Sequence, residues 1–370
     1  MNKKISFAGP SITDKEIKYV IDATKNGWYE TYDKDIISLE KTIQEYLGVK
    51  FALATHCCTV ALHLACEAIG LKDNDEVICT DFSWVATAYA IAYTKAKPVF
   101  VDIDEKTWCI SPTAIERAIT KRTKAIMLVH SFGYPAKMDE IMKIAEKYNL
   151  RVIEDAAPAL GAEFDNKRVG TFGDFGCFSF QGAKLTASGE GGIIVTNDDS
   201  LYEKIRLLSS MGRTDSKAVF WSDTLGYQYT MSNLTAALAL AQVERIDELI
   251  DKKKNIHDYY REELDDINSI KFVSEYKNSK SVHCYPSILL GDEISIPRDE
   301  IIQILKNKNI HCRPAFPRMS KFPLFESRFQ NPIAKNVELK GITLPSAANL
   351  NHDDIKYVCS SLKNIISKIK

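Results

Sequence analysis

None of the nine cysteines, at positions 57, 58, 66, 79, 109, 177, 284, 312 and 359, forms a CxxC pair or a His/Cys ligand spacing. That excludes the usual zinc motifs and offers no disulfide framework. Most lie inside apolar runs, where a free thiol behaves as a small hydrophobe. No apolar run approaches the roughly 18 residues of a membrane span, and the opening MNKKISFAGPSITDKE lacks the apolar core of a signal peptide. Neither sign of charge is in excess. With 48 basic and 49 acidic side chains and a net charge of -1, there is no bulk electrostatic case for a nucleic acid or an anionic membrane as partner. Internal repeats and low-complexity tracts are missing too. A GxGxxG after the first strand is also missing, which removes the dinucleotide-binding dehydrogenase that β–α alternation alone would suggest. A reducing cytoplasm is the simplest location.

What remains is an ordinary globular composition, 45% apolar and 26% charged, on a chain of 370 residues that has room for two domains. SITDKEIKYVIDATKNG predicts a capped helix with Ser11 or Thr13 as N-cap and Gly27 as its stop, and KDIISLEKTIQEYLGV predicts a second that ends at Gly48. The aromatic loop WYETYD joins them. From residue 51 the period changes: FALAT, DEVICT, KPVFVDI, KAIMLVH and RVIEDAA read as strands, separated by helical stretches such as HCCTVALHLACEAIG and WVATAYAIAYT. Such alternation predicts a mainly parallel sheet covered on both faces, with ligands at the carboxyl ends of its strands. Thr55, Asp81, His130 and Asp155 fall at those ends. NLTAALALAQVERIDELIDKKKNIHDYYREEL predicts one long helix leading away from this unit. The predicted architecture is α/β, with a large sheet domain over residues 1–240 and a small α+β domain over residues 241–370.

The stretch from Arg151 to Asn197 carries the chemistry. Lys184 lies between two apolar runs and among Phe178, Phe180, Gly182 and Ala183, a setting that favours the neutral, nucleophilic amine. Asp155 closes the strand RVIEDAA, where an ionised carboxylate would keep a pyridine nitrogen protonated. An Asp after a strand also serves as a helix N-cap. The turn THCCTVAL would aim the first amides of a helix, with the Thr59 hydroxyl, at a phosphate, although Thr at a helix start is often only a cap. Ser179 can reach the same phosphate. Together these features converge on pyridoxal phosphate held by Lys184.

At these residues the sequence resembles the DegT/DnrJ/EryC1/StrS aminotransferases, which act on keto sugars attached to nucleotides. The resemblance runs through CTVALHLA at 58–65, AIMLVHSFGYP at 125–135, VIEDAAPALGA at 152–162, VGTFGDFGCFSFQGAKLTASGEGGIIVTND at 169–198 and GYQYTMSNLTAALALAQ at 226–242. It implies a fold-type I aminotransferase and a homodimer with active sites at the subunit interface. It matches Lys184 to the Schiff-base lysine and Asp155 to the partner of the pyridine nitrogen. Trp84 matches the aromatic that stacks on the ring. The Cys58 backbone, Thr59 and Ser179 match the phosphate cradle. Gln228 stands where the family usually places an Asn that reaches the phosphate from the neighbouring subunit, with Asn233 as fallback.

Further positions depart from the family pattern. A Ser-Gly-Thr turn reads Cys57-Cys58-Thr59, so a side chain replaces the glycine. Pro158 occupies a position that often contacts the cofactor hydroxyl. In HCRPAFPRMSKFP, Ser320 replaces a frequent His and Arg318 a frequent Pro. Arg313, Arg318 and Lys321 put three cations on this segment, which suits either an oxyanion site or a solvated basic face. Trp28, Tyr29, His130, Arg313 and Arg318 are the candidate substrate contacts.

The resulting expectation is transfer of an amino group from L-glutamate to a nucleotide-linked 4-keto- or 3-keto-6-deoxy sugar, in surface polysaccharide or glycoconjugate biosynthesis. Two other readings stand beside it: an aminotransferase of a small phosphorylated ketone such as dihydroxyacetone phosphate, and a non-enzymatic regulator that binds pyridoxal phosphate or a sugar nucleotide. A sugar 3-dehydratase of the same family would carry a histidine in place of Lys184.

Overall fold

A computed structural model describes residues 3–213, 218 and 221–367. Among the described residues, fourteen strands form three sheets. In chain order they are β1 Phe51–Thr55, β2 Glu76–Thr80, β3 Lys97–Val101, β4 Thr123–Val129, β5 Arg151–Asp155, β6 Glu163–Phe164, β7 Lys167–Arg168, β8 Phe175–Ser179, β9 Gly192–Thr196, β10 Ile270–Phe272, β11 Ser279–Lys280, β12 Ser287–Leu290, β13 Arg313–Pro314 and β14 Gly341–Thr343. The helices are α1 Asp14–Asn26, α2 Lys34–Leu47, α3 Cys58–Ala68, α4 Ala86–Tyr93, α5 Pro112–Ala118, α6 Met138–Tyr148, α7 Asp199–Ser209, α8 Asn233–Val243, α9 Ile246–Leu264, α10 Arg298–Asn307, α11 Pro332–Lys340 and α12 His352–Ser367.

Seven strands make the main sheet in the order β1-β9-β8-β5-β4-β2-β3. Only β9 runs against its neighbours, pairing antiparallel with β1 and β8, so the predicted mainly parallel α/β sheet is present. Its central strands are buried along nearly their whole length because helices cover both faces. Ile78, Ile126, Leu128 and Val152 face one apolar cluster, while Val77, Cys79, Met127 and Ile153 face another. This alternation is the period-2 signature of a strand buried on both sides.

The predicted helix starts hold in detail. Thr13 caps α1, and Glu16 returns a bond to the Thr13 amide, a closed capping box. Helix α2 stops at Gly48, whose φ of 68° is the left-handed conformation that a Cβ disfavours.

One sequence expectation needs correction. The predicted long helix is two helices, α8 and α9, interrupted at Glu244–Arg245. Arg245 leaves helical geometry there (φ -114°, ψ 14°) and pairs with the fully buried Glu16 at 2.5 Å. The expected boundary at 240 falls within α8. Ile5 pairs with Ile310 and packs in the same cluster as Ile288, Leu305 and Val358, so the N-terminal end of the described chain lies on the C-terminal sheet β10-β12-β14-β13. Helix α9 belongs to both units: Ile246 and Leu249 pack in the first cluster, and Ile256, Tyr260 and Leu264 in the third.

Candidate active site

Beyond the carboxyl ends of the parallel strands lies a cavity of about 450 Å³. Its walls bring together Cys57, Cys58, Thr59, Trp84, Asp155, Pro158, Ser179, Lys184 and Arg313, which the sequence places in five separate segments. The large sheet and its connections supply all of them but Arg313, which comes from β13, and the loop before α1 adds Phe7 to the lining.

The phosphate-binding candidate is the start of α3. Its N-cap, Cys57, is extended (φ -162°) and makes no side-chain cap bond, so no thiol occupies the first-turn amides. Cys58 is already helical, which is why a side chain is tolerated where the family has glycine: neither residue takes the left-handed conformation. The glycine that matters is on the facing strand. A Cβ on Gly192 would stand 2.5 Å from the Cys58 amide nitrogen and 2.6 Å from the Cys57 carbonyl carbon, so only glycine lets β9 approach the helix start. Ser179 ends β8 beside it, with its Oγ accepting from the Gln181 amide at 3.3 Å.

Asp155 ends β5 at the floor and is almost fully buried. Its Oδ2 accepts from Thr87 Oγ1 at 2.7 Å and its Oδ1 from the Ala157 amide at 3.2 Å. Burial pushes the carboxyl pKa above its ordinary value, while the bond from Thr87, the bond from the Ala157 amide and the nearby Lys184 and His130 side chains pull it back. A cationic ring nitrogen would complete such a carboxylate, which forms no ion pair among the described residues.

Lys184 rides on a tight turn after β8. Its amide donates to the Gln181 carbonyl at 2.8 Å, and the Tyr285 hydroxyl donates to the Ala183 carbonyl at 2.8 Å, which pins the turn to the small domain. The Lys184 Nζ lies 5.8 Å from the Tyr285 ring centroid. Trp84 is 63% exposed on the cavity wall and tilts against Phe316 at 6.3 Å.

Other nominated residues sit elsewhere. His130 is fully buried: its Nδ1 accepts from the Ala136 amide at 3.0 Å, so its Nε2 carries the proton and donates to Glu154 at 3.0 Å. Glu154 also accepts from the amides of Gly170, Phe172 and Gly173, each at 2.7 Å. His130 therefore locks two strand ends together and does not line the cavity. Arg318 donates to Glu338 at 3.0 Å and to the Gln330 carbonyl, and Lys321 bonds the same carboxylate at 2.9 Å, so two of the three C-terminal cations are neutralised locally. Ser320 donates through its amide and hydroxyl to the buried Asp81.

Asn233 is buried between helices, accepting from the Asp35 amide at 2.9 Å and donating to the Asp35 carboxylate at 2.8 Å, which caps α2 from α8. Gln228 is exposed and donates to Thr230 Oγ1 at 3.0 Å. Trp28 and Tyr29 are surface residues, 52% and 88% exposed, and neither reaches this cavity within one chain.

Sequence reasoning did not nominate Phe7, Thr87 or Tyr285. Thr87 sits in an apolar helix and Phe7 precedes the first helix, and neither position carries a chemical signature. A threonine alone among alanines in ATAYAIA was the one available hint.

A mainly parallel sheet with a lysine turn, a buried aspartate and an open helix start at its carboxyl edge defines a fold-type I aminotransferase. The solved structure of Helicobacter pylori PseC, an aminotransferase involved in the biosynthesis of pseudoaminic acid, superposes with a TM-score of 0.93 at 26% identity, covering 99% of this chain and 100% of that one. The chain is 39% identical over 367 residues to GDP-perosamine synthase of Escherichia coli O157:H7, covering 99% of both. It is 38% identical over 371 residues to dTDP-4-amino-4,6-dideoxy-D-glucose transaminase of Shigella dysenteriae, covering 99% of this chain and 100% of that protein. The profile of the DegT/DnrJ/EryC1/StrS aminotransferase family matches residues 10–363, and the chain belongs to that family. It is an enzyme, a pyridoxal-phosphate-dependent aminotransferase.

Proposed function

We propose that the enzyme transfers an amino group from L-glutamate to a keto sugar carried on a nucleotide, a 4-keto- or 3-keto-6-deoxy sugar. One observation carries the reading: Lys184, Asp155 and the open first turn of α3 border a single cavity, as the amine, the ring nitrogen and the phosphate of one cofactor require. The names of the Escherichia coli and Shigella relatives point to the product class, an amino sugar linked to GDP or dTDP, whose acceptor is the corresponding keto sugar. The role this suggests is in surface polysaccharide or glycoconjugate biosynthesis, in the cytoplasm.

When bound, pyridoxal phosphate would act as an electron sink beside the donor's Cα and carry the amino group between the two half-reactions. Lys184 would hold it and move the proton at that carbon. Asp155 would keep the ring nitrogen charged. Trp84 would cover one face of the ring, while Thr59, Ser179 and the first amides of α3 would hold the phosphate. Gln228, on the surface of its own chain, would reach the phosphate of a neighbouring copy in a homodimer. Trp28 and Tyr29 would act at that junction, and Arg313 would face the substrate.

Purified protein with pyridoxal phosphate, observed by absorbance before and after L-glutamate and beside Lys184→Ala, tests the donor half. A visible band that glutamate removes, missing from the variant, is expected. A band unmoved by any amino acid would overturn the aminotransferase reading. Product formation is then compared with GDP-4-keto-6-deoxymannose, dTDP-4-keto-6-deoxyglucose and dihydroxyacetone phosphate. Turnover of dihydroxyacetone phosphate alone would replace the nucleotide-sugar assignment.

A further inference from the structure

Residues 5–9 are threaded across the small domain. The Ile5 amide donates to the Asn309 carbonyl and the His311 amide to the Ile5 carbonyl, while the Ser346 and Ala348 amides donate to the carbonyls of Phe7 and Gly9. Bonds on both sides of Phe7 fix its backbone, and its side chain lines the cavity. The Phe7 ring stacks on Tyr285 with centroids 5.6 Å apart and planes 15° from parallel. On Phe7 lies the Arg313 guanidinium, 4.3 Å from the ring centroid. Arg313, Phe7, Tyr285 and Lys184 thus form one continuous stack across the small-domain side of the cavity.

Arg313 differs from its neighbours in this region. Arg318 and Lys321 share Glu338, whereas no carboxylate pairs with Arg313 among the described residues. A guanidinium held by its face keeps its N–H edge free, and that edge matches a carboxylate or a phosphate in bidentate fashion. Strand β13, which carries it, is short and exposed, and the Arg313 guanidinium lies on the Phe7 ring.

We propose that Phe7 is a positioning residue, which holds Arg313 by cation–π stacking so that its N–H edge meets an oxyanion of the substrate. This rests on the reading above that Arg313 faces the substrate. The oxyanion is either the carboxylate of the amino donor or the phosphate of the sugar nucleotide, and the two half-reactions separate these sources.

The test uses the holoenzyme with Phe7→Leu, which keeps an apolar side chain but removes the ring, Phe7→Tyr, which keeps the ring, Arg313→Gln, and the double variant. The donor half-reaction is followed by absorbance with L-glutamate, and the acceptor half-reaction with GDP-4-keto-6-deoxymannose and pyridoxamine-loaded enzyme. Phe7→Leu is expected to raise the half-saturating substrate concentration about three- to ten-fold in one half-reaction, with its maximal rate within about two-fold. Phe7→Tyr restores it, and the double variant is no worse than Arg313→Gln, as coupled residues require. An effect on glutamate identifies a carboxylate. An effect on the sugar nucleotide, with competition by GDP weakened in parallel, identifies a phosphate. Unchanged half-saturation in both half-reactions, equal damage to both maximal rates, or additive losses in the double variant would overturn the proposal. Wild-type turnover of glutamate beside an unaffected Phe7→Leu rejects the positioning role and leaves the aminotransferase reading standing.

Discussion

Thr87 Oγ1 donates to Asp155 Oδ2 at 2.7 Å, tying helix α4 to the end of β5 at the buried carboxylate of the cavity floor. Burial raises the Asp155 pKa and this bond is the largest influence that lowers it. Thr87→Val keeps the shape of the side chain and removes the donor, so the carboxyl moves further towards its neutral form. A neutral carboxyl holds a protonated ring nitrogen less well. The expected result is pyridoxal phosphate binding weakened by roughly five- to ten-fold, about 1–1.4 kcal/mol, the worth of one ordinary hydrogen bond. Fluorescence titration of the apoenzyme measures it, and wild-type affinity in the variant would refute the link.

Gly192 and Gly48 separate two reasons for glycine. At Gly192 a Cβ meets backbone atoms of Cys57 and Cys58 within 2.8 Å, and backbone cannot swing aside. Gly192→Ala is expected to cost about 2–3 kcal/mol by overpacking and to weaken cofactor binding, because the displaced atoms are those of the helix start. Gly48 has φ 68° and nothing within 4 Å of a Cβ, so Gly48→Ala meets backbone strain alone, about 1–2 kcal/mol, with cofactor affinity retained. Thermal melts paired with cofactor titrations distinguish the two; equal cofactor affinities would show that β9 does not shape the phosphate site.

The sheet and most of the cavity were legible because their signals are local. A strand period changes at residue 51, and Lys184, Asp155 and Thr59 each sit in a motif with its own chemistry. His130 was misplaced for a reason that local pattern does not carry. The turn after it takes Phe132 to φ 55°, an unusual conformation for an aromatic residue, and the imidazole ends inside against Glu154. Phe7, Thr87 and Tyr285 escaped notice because each acts through a tertiary partner: Arg313, Asp155 and the Ala183 carbonyl. The α8–α9 break was hidden likewise, since Glu16 lies more than two hundred residues from Arg245 in the chain.

Asn233 holds both the amide and the carboxylate of Asp35, so its removal leaves the start of α2 without its cap. Asn233→Ala is expected to lower stability by about 1–2 kcal/mol, the usual worth of a capping side chain. Denaturant unfolding of the apoenzyme measures this directly, without any contribution from cofactor. Unchanged apoenzyme stability beside a large loss of cofactor affinity would return Asn233 to the phosphate site.

Glu40 gives a dependence on pH that reaches neutrality. Its Oε1 accepts from the Ala54 amide at 2.8 Å across the α2–β1 junction, and burial, with a smaller push from Asp33, raises its pKa from 4.5 to about 7. The folded state therefore binds this proton more tightly than the unfolded chain. The resulting stability is fully present below about pH 4.5 and is lost as pH rises through about 7. Glu40→Gln keeps an acceptor for the Ala54 amide but has no proton to lose. Relative to the wild type, the variant should gain stability as pH rises from about 4.5 to about 7, by an amount on the order of 2–3 kcal/mol, and the difference should level off on either side of that range. Melting curves of both proteins across that range measure the gap. A gap that does not change with pH would mean that Glu40 titrates as an ordinary exposed carboxylate, and that the α2–β1 junction is open to water.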